Sequence, residues 1–164
     1  MKTVGAGYPA PLVSGEDMRR IDIPTIEMNG EKYPVYCDLY VFQQIQEKMD
    51  INDFERKVIG ARIVRDEDGQ PVFDKDKRFR LEFVGPDINT LIFGLTLMIN
   101  EGLLIQSEQE NIDFEPVDEK YIARISDMSV IELSNIVHEA FGRCCGSKKN
   151  IKQNPRSRKK NISK

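Results

Sequence analysis

Residues 26–37 read IEMNGEKYPVYC, and the reading of this stretch decides the fold class. Asn29-Gly30 is the dipeptide that a tight type I′ turn selects, because both central positions of that turn need positive φ. A two-residue turn there pairs Met28 with Glu31, Ile26 with Tyr33, Pro24 with Val35 and Asp22 with Cys37. The same register puts Ile26, Met28, Tyr33, Val35 and Cys37 on one face, so turn chemistry and apolar alternation agree on a hairpin. Pro34 falls on the opposite face, and its missing N–H keeps its strand from being central throughout.

Working outward, the spacing of Phe42, Ile45 and Met49 predicts a helix over residues 39–49. Asn52 with Glu55 three residues later has the form of a capping box for a second short helix. Phe54 and Val58 would face inward, and Gly60 would end it. Residues 62–84 read as a second hairpin with its turn in DEDGQP, since Phe79, Leu81 and Phe83 alternate with Arg80 and Glu82. The DKDKR stretch between is readable as loop or strand. Asp87 caps the most apolar helix, with Ile88, Leu91, Ile92, Leu95, Met98 and Ile99 at helical spacing and Phe93 and Leu97 on another side. A helix apolar around so much of its circumference belongs at the centre, and Gly102 is expected to terminate it. An acidic, turn-rich stretch at 106–115 leads to a helix near 117–125. Ser129 and Glu132 then form an S-x-x-E box ahead of Leu133, Ile136, Val137, Ala140, Phe141 and Cys144, with Gly146 as the residue that closes the helix. No internal repeat is read. The expected class is α+β, with one or two antiparallel hairpins packed on a cluster of four to five helices.

The length of 164 residues suits one domain, and the chain divides into a Gly/Pro-rich leader at 1–20, a domain at 21–146 and a tail at 147–164. The net charge of −3 hides a split. The tail holds eight basic and no acidic residues, which leaves sixteen basic against twenty-seven acidic groups, a net of −11, on the rest. A tail of that composition supports no core and reads as disordered. No apolar run approaches the ~20 residues of a membrane span, and residues 1–15 lack the continuous apolar stretch of a secretory signal. Cys37, Cys144 and Cys145 are odd in number, and two are adjacent, which fits unpaired thiols in a reducing cytoplasm.

Little in the sequence assembles into catalytic chemistry. His138 is the only histidine and lies off the apolar stripe of the last helix, where an exposed side chain is expected. No nucleophile elbow accompanies it. Cys144 belongs to the apolar stripe rather than to a zinc site, because no C-x-x-C spacing exists. Gly146-Ser147-Lys148 has the wrong spacing for a phosphate loop and sits at a helix C-terminus, whose dipole disfavours anions. The DEDG run lacks the glutamate of a calcium loop and reads as a charged turn. No catalytic residue, cofactor or metal is therefore assigned.

Three segments, in order, resemble a known family. IEMNGEKYPVYCDLYVFQQIQEKMD with INDFERKVIG is similar to the opening of tail assembly chaperones from long-tailed bacteriophages and prophages of Gram-positive bacteria. FVGPDINTLIFGLTLMINEG resembles that family's central helix, and VIELSNIVHEAFGRCCGSKKN its last helix running into a Lys-rich tail. The resemblance implies an α+β binding protein without a chemical step, working in the bacterial cytoplasm and absent from the finished virion. Its partner would be the tape measure protein, whose apolar helical segments it keeps soluble while tube subunits polymerise. It also implies a −1 frameshifted longer form that recruits tail tube protein.

Such a role needs apolar surface for the client and acidic charge for solubility. Met28, Met49, Phe93, Leu97 and Met98 are the candidate contact residues, weighed against plain core packing, to which each is better suited by default. Two other readings stand beside this one: a structural tail or connector subunit, and a small regulator binding nucleic acid through the basic tail. An acidic body and the lack of interleaved aromatics argue against nucleic acid, and no membrane partner is expected. Lys148, Lys149 and Asn150 mark the candidate frameshift region, because A-rich codons there would form a slippery run. Sequencing the gene is expected to show such a run near codons 147–150 with an overlapping −1 frame. G-rich lysine codons and no overlapping frame would remove the frameshift.

Overall fold

The computed structural model describes residues 20–145; residues 1–19 of the leader, Gly146 and the basic tail lie outside the described residues. The fold is α+β, and the described residues form five helices and two small antiparallel hairpin sheets. β1 (Thr25–Met28) and β2 (Glu31–Pro34) form the first hairpin with Ile26 opposite Tyr33 and Met28 opposite Glu31, the register that the turn dictates. Asn29 and Gly30 take φ of 51° and 78°, as a type I′ turn demands. Val35 N–H continues the ladder by donating to the Pro24 carbonyl at 2.8 Å. Met28, Tyr33, Val35 and Cys37 are buried, and Ile26 packs against them half-buried. Pro34 is buried as well, on the other face.

α1 (Leu39–Lys48) is capped by Asp38 and buries Val41 and Ile45. α2 (Ile51–Ile59) buries Phe54 and Val58 and ends on Gly60 in the left-handed region. Its cap is Asp50, whose carboxylate accepts from the Asn52 and Asp53 backbone N–H groups. This corrects the assignment to Asn52. Asp50 stands directly before the first helical residue, so its carboxylate meets the free N–H groups of the first turn. β3 (Ala61–Ile63) and β4 (Leu81–Phe83) make the second hairpin.

α3 (Ile88–Glu110) is the centre of the molecule and packs against β2, α1, α2, α4 (Glu119–Ile125) and α5 (Val130–Cys144). Its apolar circumference is matched by neighbours on all sides. Leu91, Leu95, Met98 and Ile99 are fully buried. By length and hydropathy α3 could cross a membrane, contrary to the expectation from apolar runs, but 56% of the qualifying window is buried inside the domain. That is the property of a core helix.

Gly102 does not end this helix. α3 continues a further two turns to Glu110 and closes on Asn111 at φ 53°, so residues 106–110, expected in a turn-rich stretch, are helical. A Cβ at Gly102 would lie 2.9 Å from Pro34, so the glycine is there to let strand and helix backbones meet. That approach also lets the Tyr36 N–H donate to the Met98 carbonyl at 3.0 Å. Gly94 plays the same part toward the Phe54 ring, where a Cβ would come within 2.8 Å.

On the remaining sides the contacts are polar as well as apolar. Asn100 clamps Val117 with a pair of hydrogen bonds at 2.8 and 2.9 Å, fixing the return of the chain after α3. Ser134 Oγ, buried on α5, donates to the Val58 carbonyl at 2.6 Å and ties α5 to the last turn of α2. The Ser129–Glu132 capping box opens α5 as expected, and Leu133, Val137, Ala140 and Phe141 are its buried face. Phe141 packs against both Phe42 and Phe54, with ring centroids 5.8 and 5.1 Å away.

Two helix glycines thus have opposite expected responses to alanine. Gly102→Ala forces the Pro34 backbone away, an overpacking cost of about 1–3 kcal/mol that exceeds the helix-propensity gain of ~1 kcal/mol. Gly142→Ala, on α5 with nothing within 4 Å of the added methyl, should be neutral to stabilising. Urea unfolding of the two variants reads the difference as a lower midpoint for the first and an unchanged or higher one for the second.

Candidate interaction surface

Between β3 and β4 the chain makes two more tight hairpins instead of one long turn. Val64 N–H donates to the Arg80 carbonyl, Arg80 N–H to the Val72 carbonyl and Val72 N–H to the Val64 carbonyl, at 2.8, 2.8 and 2.9 Å. These three bonds close a ring, from which the β3–β4 ladder and two leaves radiate. The first leaf is closed by the bridge between Arg65 and Pro71, the second by the bridge between Phe73 and Phe79.

The two leaves have one chemistry. Asp66 Oδ1 accepts from the Asp68 and Gln70 N–H groups at 3.0 and 2.8 Å, and Asp74 Oδ1 accepts from Asp76 and Arg78 at 2.8 and 2.9 Å. Gly69 and Lys77 hold the equivalent positive φ, 78° and 59°. The sequence carries the reason as a repeat of eight residues, VRDEDGQP followed by VFDKDKRF, with Val, Asp and Asp in register. The stretch thus carries an internal repeat where none is expected, and two turns in place of the single one at DEDGQP. The repeat is only two units long and varies at the φ-positive position, where Lys77 replaces the expected glycine. Aligning the two V-x-D-x-D segments would have exposed it.

The ladder places side chains on alternating faces. Arg62 and Glu82 are cross-strand partners and form an ion pair on one side. Ala61, Ile63, Leu81 and Phe83 lie on the other, and the alternation through 79, 81 and 83 brings in Phe79, whose ring stacks on Phe73 at 5.0 Å. This side is open to solvent: Phe73 is 53% exposed, Phe79 50%, Leu81 50% and Phe83 71%. At roughly 200 Å² per ring, the three phenylalanines alone expose on the order of 350 Å². That is already the size of a functional patch.

The residues singled out in the sequence for partner contact sit elsewhere. Met28 and Met98 are fully buried and Phe93 is nearly so, with Lys48 Nζ lying 3.9 Å over its ring. These three are core, and their placing corrects their candidacy as surface contacts: the apolar stripe of α3 has a packed neighbour on every side. Met49 and Leu97 are half-buried and pack against that core. Lys148, Lys149 and Asn150 lie outside the described residues. His138 is exposed on α5, as expected. Among the described residues no group of three or more His, Cys, Asp or Glu is arranged to hold a metal ion. The DEDG run is a turn whose first carboxylate is spent on backbone N–H groups.

Comparison of the chain with protein-family models, with curated proteins and with solved structures finds no match.

A second polar cluster lies away from the arm. Cys144 Sγ donates to the Asp38 carbonyl at 3.0 Å, joining the end of α5 to the cap of α1. Burial pushes the Cys37 thiol well up, with Cys144 beside it. Glu101, on α3, faces Asp38, and its pKa is raised to about 7 by burial, then by the Asp38 charge and hydrogen bond and the charge of Glu108. A carboxyl raised in the folded state favours folding while it is protonated in that state. Stability is therefore highest below the ordinary glutamate range and falls as pH rises through about 7. Glu101 is only partly buried, so after solvent screening the loss is on the order of 1 kcal/mol. Urea midpoints at pH 5 and pH 8 should differ less in Glu101→Gln than in the parent.

Proposed function

We propose that this chain is a tail assembly chaperone of a long-tailed bacteriophage or prophage, a binding protein that carries out no chemical step. The observation that supports this reading is the solvent-open apolar face of the arm at residues 61–84, standing out from a closed core. An apolar face of this kind suits amphipathic helices, which bury their own apolar stripe on it. The acidic remainder of the domain keeps such a protein soluble while it holds an aggregation-prone client. The three sequence segments that carry the family resemblance span the first hairpin with α1 and α2, the central helix and the last helix, which hold most of the buried core.

On this reading the client is the tape measure protein, a long chain of apolar helical segments. A −1 frameshifted form, extended past the Lys148-Lys149-Asn150 region, brings tail tube protein to it. The chaperone works in the cytoplasm of the bacterial host and is left behind by the mature virion. No cofactor takes part.

Co-expression with the long protein encoded downstream tests the proposal. The client is expected in the soluble fraction with the parent chain and mostly in the pellet with the double variant Phe79→Glu/Leu81→Glu. Both residues are half-exposed, so the variant is expected to keep the parent's thermal midpoint. Equal client solubility with and without the chain would overturn the reading.

A further inference from the structure

The arm carries a charge asymmetry that its apolar face does not explain. Residues 61–84 hold six basic and six acidic groups, whereas the other described residues hold eight basic and nineteen acidic. Within the arm the charges are sorted by leaf. The first leaf has Asp66, Glu67 and Asp68 against Arg65; the second has Lys75, Lys77 and Arg78 against Asp74 and Asp76, with Arg80 following. Two leaves of the same backbone design therefore present opposite signs, side by side, at the end of one apolar ribbon.

We propose that the apolar face of the arm is covered by the same face of a second copy of this chain, with the acidic leaf of each copy against the basic leaf of the other. A two-fold axis between the faces makes this contact twice over, because every pairing in an isologous interface occurs in both directions. Both leaves then find complementary charge, and the rings of Phe73, Phe79 and Phe83 leave water together. The acidic remainder of each domain would resist self-association through any other face. The arm is locally neutral and does not.

The area sets the strength. A stable interface buries ~800 Å² per partner, and the exposed rings with Leu81 supply roughly half of that before the leaves are counted. The dimer is accordingly weak and reversible, with a dissociation constant on the order of micromolar. A two-stranded ribbon with one apolar side is marginal in water, and pairing would give each ribbon the second layer it lacks. Pairing also deepens the chaperone reading, on which its biological sense rests. Two copies shield the client surface until a client with its own apolar stripe displaces one of them.

Sedimentation velocity on the full chain, from micromolar to millimolar concentration, tests the pairing. The parent is expected to move from monomer to dimer across that range. Glu67→Lys/Asp68→Lys makes both leaves basic, and Lys75→Glu/Arg78→Glu makes both acidic. Each variant alone should dimerise at least roughly 10-fold more weakly. Mixing the two variants should restore a dimer containing one copy of each, a result that misfolding cannot mimic. A parent that stays monomeric at millimolar concentration would overturn the proposal, as would a dimer indifferent to both leaf reversals. The two claims fail separately. A monomer that still keeps the client soluble removes the pairing alone, and a dimer that holds no client removes the chaperone reading alone.

Discussion

Pro34 lies against Gly102 so closely that one methyl group would not fit between them, and the position of the first hairpin on the central helix depends on this approach. α3 has a packed neighbour on every side, and its apolar circumference is the reason. Each neighbour solves the approach differently. The hairpin uses a glycine; α2 sets the Phe54 ring over Gly94; and α1, α4 and α5 pack through their aliphatic and aromatic faces. Interiors packed to this density tolerate neither an added methyl nor a missing one. The helix is therefore a fixed frame, and the arm leaves the end of α2 at Gly60 and returns at Gly85 just ahead of α3.

How much of this was legible depended on whether the information was local. The Asn29-Gly30 hairpin and α5 were read from the sequence with their register and caps, because a turn dipeptide and a capping box act over four residues. The helix existence at 39–49 and 88 onward followed from periodicity. What failed was decided by distant partners. Gly102 looks like a helix end until Pro34 is seen beside it. Met28, Phe93 and Met98 look available as contact residues until α3 is seen to be enclosed. Asn52 and Asp50 are both good caps, and only the observed start of α2 separates them.

The second hairpin is met as β3 paired with β4, and the two leaves between them escape the sequence for a different reason. Their design is local, but it is a ring of three backbone hydrogen bonds among Val64, Val72 and Arg80, and side-chain alternation does not report such a ring. The alternation of Phe79, Leu81 and Phe83 marks one strand of a hairpin. The structure leaves that face uncovered. Apolar alternation records that a face is to be buried, and it is silent on whether the covering group belongs to the same chain. Among the described residues nothing covers it, and that is the physical basis for regarding the arm as an interaction surface.

The claim at the centre of this account is that the apolar side of the arm meets a partner while α3 stays enclosed. Hydroxyl-radical footprinting measures side-chain access directly. In dilute solution without client, Phe73, Phe79, Leu81 and Phe83 should be modified readily, and Met28 and Met98 should be spared. On addition of the proposed client, a tape measure protein, the arm residues should become protected and the two methionines should stay as they were. Arm labelling unchanged in a formed complex, or methionines that become reactive when the client binds, would contradict it.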